Sequence, residues 1–268
     1  MRRLVLLFAL VAGPAAAHEL WLEPETFAIG PDDALKAAIV NGEDFDGQAF
    51  PYLPQRFVAF VNFSAAGAAP VEGRIGDHPA VLIPDPIEGL NVLAYRSRDS
   101  QVTYDDWDTI LAFVEHKGLT TFLADHAARG FAEEPFTETY SRHSKSLVGV
   151  GDAVGADRRT GLETEIVALT NPYTDDLSDG MTFRLWYGDA PRAGARFEVY
   201  ERAPGGAVAQ TFHTTDADGR VTVPVRAGHQ YMADAVVYRE PSAELAEASG
   251  AIWETLWANM TWAVPGAP

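Results

Sequence analysis

Nitrogen and sulfur ligands for a transition-metal ion are few in this chain, which has seven histidines and no cysteine. A metal site here has to be built from imidazole, carboxylate and amine, without thiolates. His18 has the most distinctive setting, following Ala15-Ala16-Ala17 and preceding Glu19-Leu20-Trp21. Arg2 and Arg3 open the chain, and an apolar run from Leu4 to Ala12 follows that is too short to span a bilayer. Small residues then stand where signal peptidase reads. The pattern predicts a signal peptide over 1–17 and a mature chain that begins at His18. An N-terminal histidine offers its α-amine and its ring nitrogen to one ion, a grip that no internal histidine can make. Imidazole and α-amine groups in general have reference pKa values near neutrality, about 6.5 and about 8, so a metal displaces protons from such groups at low cost.

A two-point anchor needs at least one further imidazole or carboxylate to hold a late first-row ion well. Glu19, Glu23 and Glu25 are near in sequence, but a bracing ligand usually comes from elsewhere in the fold. His116 and His126 stand ten residues apart, not on one helical turn. They read first as helix-surface residues, or as a pair facing across a hairpin. His143 lies between Arg142 and Lys145 just before an expected strand, where the basic neighbours oppose a cation. His18 is therefore the expected metal ligand, with His143, His116 and His126 as candidate partners. His78, His213 and His229 read as ordinary surface histidines.

Other motifs are better explained without chemistry. Asp216-Ala217-Asp218-Gly219 resembles the start of a calcium loop, but position twelve is Ala227 rather than glutamate, so a hairpin turn is expected. Trp253, Trp257 and Trp262 are spaced for packing. Asp105, Asp106 and Asp108 suit a helix N-terminus. There is no GxSxG, HExxH or phosphate-cradling loop, and no catalytic constellation is expected.

The elements that position these residues are mostly strands. Apolar runs broken by Pro and Gly predict strands over 35–40, ending at Asn41-Gly42, and over 57–63, 80–83, 90–97 and 146–150, with another around 20–27. Residues 105–130 differ. Trp107, Ile110, Leu111 and Val114 recur at helical spacing, Lys117-Gly118 suits a helix end, and 119–129 makes a second short helix closed by Gly130. Residues 152–160 read as a polar linker. Beyond it, seven short strands in about a hundred residues carry the pattern of a Greek-key sandwich, with an exposed loop or helical turn over 240–250. The expected fold is mainly β: two β-sandwich domains of immunoglobulin-like kind, 18–152 and 162–268, with a helical insertion at about 104–130 in the first.

The net charge is −18, and two units more negative once Arg2 and Arg3 leave. Such acidity argues against nucleic acid and anionic membranes as partners. After the signal, no stretch reaches the eighteen apolar residues of a membrane span, so an exported chain without a span is expected.

Several stretches together resemble one family: residues 18–24 (HELWLEP) and 92–97, Tyr140-Ser141-Arg142 with 145–148, Glu165-Ile166-Val167 with Asn171-Pro172-Tyr173, 215–220, and 253–258. This is an exported bacterial domain-of-unknown-function family often labelled a periplasmic component of cobalt or nickel ABC transport. The resemblance implies a periplasmic location, a second half similar to transthyretin-like or carboxypeptidase-regulatory sandwiches, and a role near divalent metal uptake. A histidine that many members carry in a late strand is replaced here by Val236-Val237-Tyr238. The functional expectation is a non-enzymatic binder of a divalent transition metal (Ni, Co or Cu), working with a metal transporter of the inner membrane. The alternative is an adhesion or interaction module for protein or glycan, and a copper redox enzyme with an N-terminal His brace is a third.

Overall fold

One strand organises the molecule. In the computed structural model, which describes residues 18–266, strand Phe136–Val150 pairs with four others. Leu147–Val150 runs antiparallel to Gly89–Ser97, Phe136–Tyr140 antiparallel to Ser100–Tyr104, and Glu138–Ser146 parallel to Trp253–Ala263. The short strand Ala28–Ile29 pairs parallel at its end. These pairings make it the centre of a ten-stranded sheet running from Val208–Thr214 through Arg196–Arg202, Gln230–Arg239 and Trp253–Ala263. Past the central strand the sheet continues through Gly89–Ser97 and Phe57–Ser64 to Gly67–Pro70.

Two four-stranded sheets cover it. Glu19–Pro24, Leu35–Glu43, Asp46–Phe50 and Val81–Ile83 form the first; Thr164–Ala168, Met181–Tyr187, Ala190–Pro191 and Arg220–Val223 form the second. Successive strand residues point to opposite faces, and Leu147 and Val148 show the consequence. Both are fully buried, but Leu147 packs with Phe183, Phe197 and Trp262 under the second small sheet, whereas Val148 packs with Leu22, Leu35 and Tyr95 under the first. The small sheets therefore lie on opposite faces of the large one. The fold is mainly β, built as β-sandwiches that share this sheet, with no barrel closure.

The helical hairpin falls where expected, as α1 (Trp107–His116) and α2 (Phe122–Ala128) between strands Ser100–Tyr104 and Phe136–Val150. The Asp106 side chain caps α1, accepting from the backbone N–H of Asp108 and Thr109. Residues 240–250 contain α3 (Ala243–Ser249), started by Ser242 and stopped by left-handed Gly250. The expected signal peptide, 1–17, lies outside the described residues. No helix among the described residues is long and apolar enough to cross a membrane.

Three local expectations are corrected. Asn41-Gly42 does not end its strand, which runs on to Glu43; the turn is Asp44-Phe45, both at positive φ (50° and 61°). Gly42 serves close approach instead, since a Cβ there would stand 2.0 Å from the carbonyl oxygen of Asp46. The strand expected over 146–150 is fifteen residues long. Its first part carries Ser141, Arg142, His143, Ser144 and Lys145, all buried, so it lacks the apolar alternation that marks a half-exposed strand. Finally, Asp216 does accept from the backbone of Asp218 and Arg220, both at 2.8 Å, as a turn requires. However, the strands it joins lie in different sheets, so it is a crossover rather than a hairpin.

Candidate functional site

The head of the opening strand meets the tail of α1. Ile110, Phe113 and Val114 bury one face of that helix, with Phe113 stacked on Trp257 at 5.7 Å. This docking carries the last turn, His116 and Lys117, over the large sheet. Gly118 leaves the helix at φ 64°, and Arg196 donates to the final carbonyls of Glu115 (2.9 Å) and His116 (2.7 Å). A cation at this end also suits the helix dipole.

Lys117 is thereby driven inside. Its ammonium donates to Glu19 Oε1 at 2.8 Å, Glu198 Oε2 at 2.8 Å and Asp234 Oδ2 at 3.3 Å, and lies 4.9 Å from the Trp257 ring centroid. The Tyr200 hydroxyl donates to Glu19 at 3.1 Å, or to Glu198 at 3.3 Å. All four charged side chains are at most 3% exposed. At the edge of this group His116, 42% exposed, sets Nε2 3.4 Å from Glu198 Oε2. One ligand atom each from Glu19, His116 and Glu198 lies within 4.8 Å of the others. His18, exposed, immediately precedes Glu19.

The electrostatics follow from burial and charge count. Burial alone would lower the Lys117 pKa, but the carboxylates of Asp234, Glu19 and Glu198 outweigh it and hold the ammonium protonated. Burial raises Asp234 to about 7 despite Lys117, with repulsion from Glu198 and Glu19 adding to it. Glu198 is also buried, but its contacts with His116 and Lys117 win and lower its pKa. The same contact raises that of His116. Arg142 also lies close enough to favour the charged form of Asp234, so it is burial, more than a shortage of cations, that holds this acid above the usual carboxylate range.

Of the histidines singled out by sequence, only His116 reaches the head of the chain. His126 is not on the helix surface: it is 2% exposed, Nδ1 accepts from Trp253 Nε1 (2.9 Å), and Nε2 lies 2.9 Å from the Ala132 carbonyl. Both of its nitrogens are engaged. His143 lies mid-strand rather than before one, on the face opposite Arg142, with Nε2 3.0 Å from Ser141 Oγ. Burial pushes its pKa down to about 3, helped by Arg96 and Arg239, so the ring is neutral. His78 is exposed, and His229 pairs with Glu201 at 2.8 Å. Trp253, Trp257 and Trp262 are core residues, as expected. Lys117, Glu198, Tyr200 and Asp234 were missed as a group. The available signal was an acid set in an otherwise apolar strand, Asp234 between Ala233 and Ala235.

A family model described as Domain of unknown function (DUF4198) matches residues 15–239. The chain belongs to that family. The match spans the head of the chain, α1 and the strands that carry Glu198 and Asp234, so the cluster lies within the DUF4198 region. No curated protein matches the chain. Among solved structures, a tetra-tandem repeat in the extending region of a large adhesion protein is 13% identical, with TM-score 0.20; the alignment covers 92% of this chain and 49% of that one. The DUF4198 chain thus spans about half the length of that structure. The D0-D1 domain of intimin is 11% identical, with TM-score 0.20, covering 90% of this chain and 97% of that one.

A second buried acid stands apart from the lysine cluster. Glu138 accepts from the Thr255 hydroxyl, and burial raises its pKa to about 7 against the hydrogen bonds from Thr255 and Tyr104. A raised folded-state pKa means that the folded chain binds more protons than the unfolded chain between about 4.5 and 7, so stability falls as pH rises through that window. Glu138→Gln is expected to remove this part of the slope. Relative to the parent, the variant should gain on the order of 1–3 kcal/mol between pH 4.5 and pH 8 in urea unfolding. Parallel pH profiles for the two proteins would contradict the assignment.

Proposed function

We propose that the protein is an exported, non-enzymatic binder of a divalent transition-metal ion, held as cargo at the head of the mature chain. The ligands are the amine and ring of His18 together with His116 and Glu198. The observation that carries this reading is the convergence of His116, Glu19 and Glu198, from three distant parts of the sequence, beside the residue expected to become the amino terminus. The donor set is nitrogen and carboxylate oxygen, which suits Cu(II), Ni(II), Co(II) and Zn(II). Lys117 already neutralises much of the inner acid charge, so the ion is taken at the outer rim, where His116 is open. The resemblance to a family labelled with cobalt or nickel transport supports a periplasmic location and delivery to, or sensing for, an inner-membrane metal transporter.

Calorimetry with Ni(II), Cu(II) and Zn(II) tests this on a chain that begins at His18. One equivalent is expected to bind. The same chain with an extra Met before His18, His18→Ala and His116→Ala should each bind at least tenfold more weakly, about 1.4 kcal/mol. His143→Ala and His126→Ala, if folded, should bind as the parent does. Equal, weak binding by all of these chains would remove metal as the cargo and leave the interaction-module reading.

A further inference from the structure

A cleft of about 520 Å³ opens at the end of the first sandwich, with Leu20 and Arg142 in its lining beside the head-of-chain acids. Its walls are mixed: Leu20, Ile39, Phe50, Phe57, Tyr95 and Tyr140 supply apolar surface and Asn41, Gln55, Ser97 and Ser100 polar surface, while its charged residues are Arg56, Arg98, Arg142 and Asp99. An excess of arginine is unexpected in a chain of net charge −18. Asp99 is taken by Arg96 at 3.4 Å, whereas Arg56 and Arg98 form no ion pair among the described residues. The Arg98 backbone N–H donates to the Arg56 carbonyl at 2.8 Å, which fixes the two rim arginines beside each other.

Arg142 is the decisive residue. It is 8% exposed, with its guanidinium 3.9 Å from the Trp257 ring centroid and 5.0 Å from that of Tyr140. Its side chain makes no hydrogen bond to any described residue, and Nη1 is buried without a partner. Asp234, Glu19 and Glu138 lie near enough to favour its charge but do not accept from it. A guanidinium carries five donors, and leaving them unmet in the interior is costly. Buried polar groups of this kind are nearly always paired.

We propose that this cleft is a binding site for a small organic carboxylate with an apolar or aromatic body. The carboxylate accepts from Arg142, with Arg56 and Arg98 drawing the anion in, and the body lies against Phe57, Tyr95 and Tyr140. Planar, forked recognition of a carboxylate is what arginine does best. The proposal does not rest on the metal reading and shares none of its ligands, although Arg142 lies beside the same acids.

The probe is 4-phenylbutyrate, titrated by calorimetry beside its neutral amide and inorganic sulfate. The carboxylate should bind at least tenfold more tightly than either. Arg56→Ala and Arg98→Ala, both on the exposed rim, should weaken it several-fold while leaving thermal unfolding unchanged. Arg142→Gln should abolish the preference for acid over amide, and Arg142→Lys should keep part of it. Should Arg142→Gln fail to fold, the rim variants and the acid–amide ratio still decide. Equal binding of acid and amide overturns the proposal, as does absence of binding by both. So does sulfate binding as tight as the carboxylate, which would show a bare charge patch.

Discussion

Lys145→Met is expected to cost about 3–5 kcal/mol of stability, the usual penalty for leaving buried charge uncompensated. Lys145 is fully buried, and its ammonium donates to both oxygens of Asp157 (2.7 and 2.9 Å), to Glu165 Oε1 (3.1 Å) and to the Arg158 carbonyl (3.0 Å). Asp157 also accepts from the Ala168 N–H at 2.8 Å, and Glu165 from the N–H and hydroxyl of Thr160. The polar segment 152–160 is therefore fastened to the central strand and to the second small sheet. Methionine fills the stem volume but supplies no charge, so two interior carboxylates keep only neutral donors and Arg159, 3.1 Å from Glu165. Urea unfolding should show a lower midpoint, and limited proteolysis should find new cleavage within 152–160. A loss below about 1 kcal/mol with unchanged proteolysis would mean that the segment is held by something else.

The same ion group marks where sequence reasoning stopped. Met181–Tyr187 is legible to the residue because its outer face meets water, so polar and apolar positions alternate. Both hairpin helices are legible for the same reason, each closed by a glycine, and α1 also by its apolar stripe and capping Asp106. Phe136–Val150 is buried on both faces, and several of its polar residues, Ser144 and Ser146 among them, find partners more than a hundred positions away. Ser141, His143 and Lys145 therefore read as the approach to a strand when they are its middle. The parallel pairing of this strand with Trp253–Ala263 has no local signal, because its register is set by packing between distant segments. At the candidate site, His18 and His116 stood out by residue type. Glu198 and Asp234 did not, since an acid in an alternating strand ordinarily faces solvent. Lys117 passed as a helix stop because the acids that neutralise it come from three other strands.

Lys117→Met tests the head-of-chain cluster most directly. It leaves Glu19, Glu198 and Asp234 packed together without the ammonium that joins them, at an expected cost of about 3–5 kcal/mol near pH 8. The sign of the pH dependence follows. Without the lysine, the folded-state pKa values of these acids rise above their unfolded values, the folded chain takes up protons, and stability falls as pH increases. The variant should thus lie closer to the parent at pH 5 than at pH 8, as measured by thermal or urea unfolding. Arg142 and the hydroxyl of Tyr200 remain nearby and soften the loss without replacing the ion pairs. The variant also bears on the metal reading, because a divalent ion is the natural substitute for the missing cation. Zinc added at pH 7 should raise the unfolding midpoint of Lys117→Met more than that of the parent, since the freed carboxylates join His116 as ligands. Adding His116→Ala to the variant should shrink that rescue. A uniform loss at all pH values would contradict the charge balance assigned to the cluster. The expected pH slope without zinc rescue would leave the charge balance intact but separate the acids from any metal-binding role.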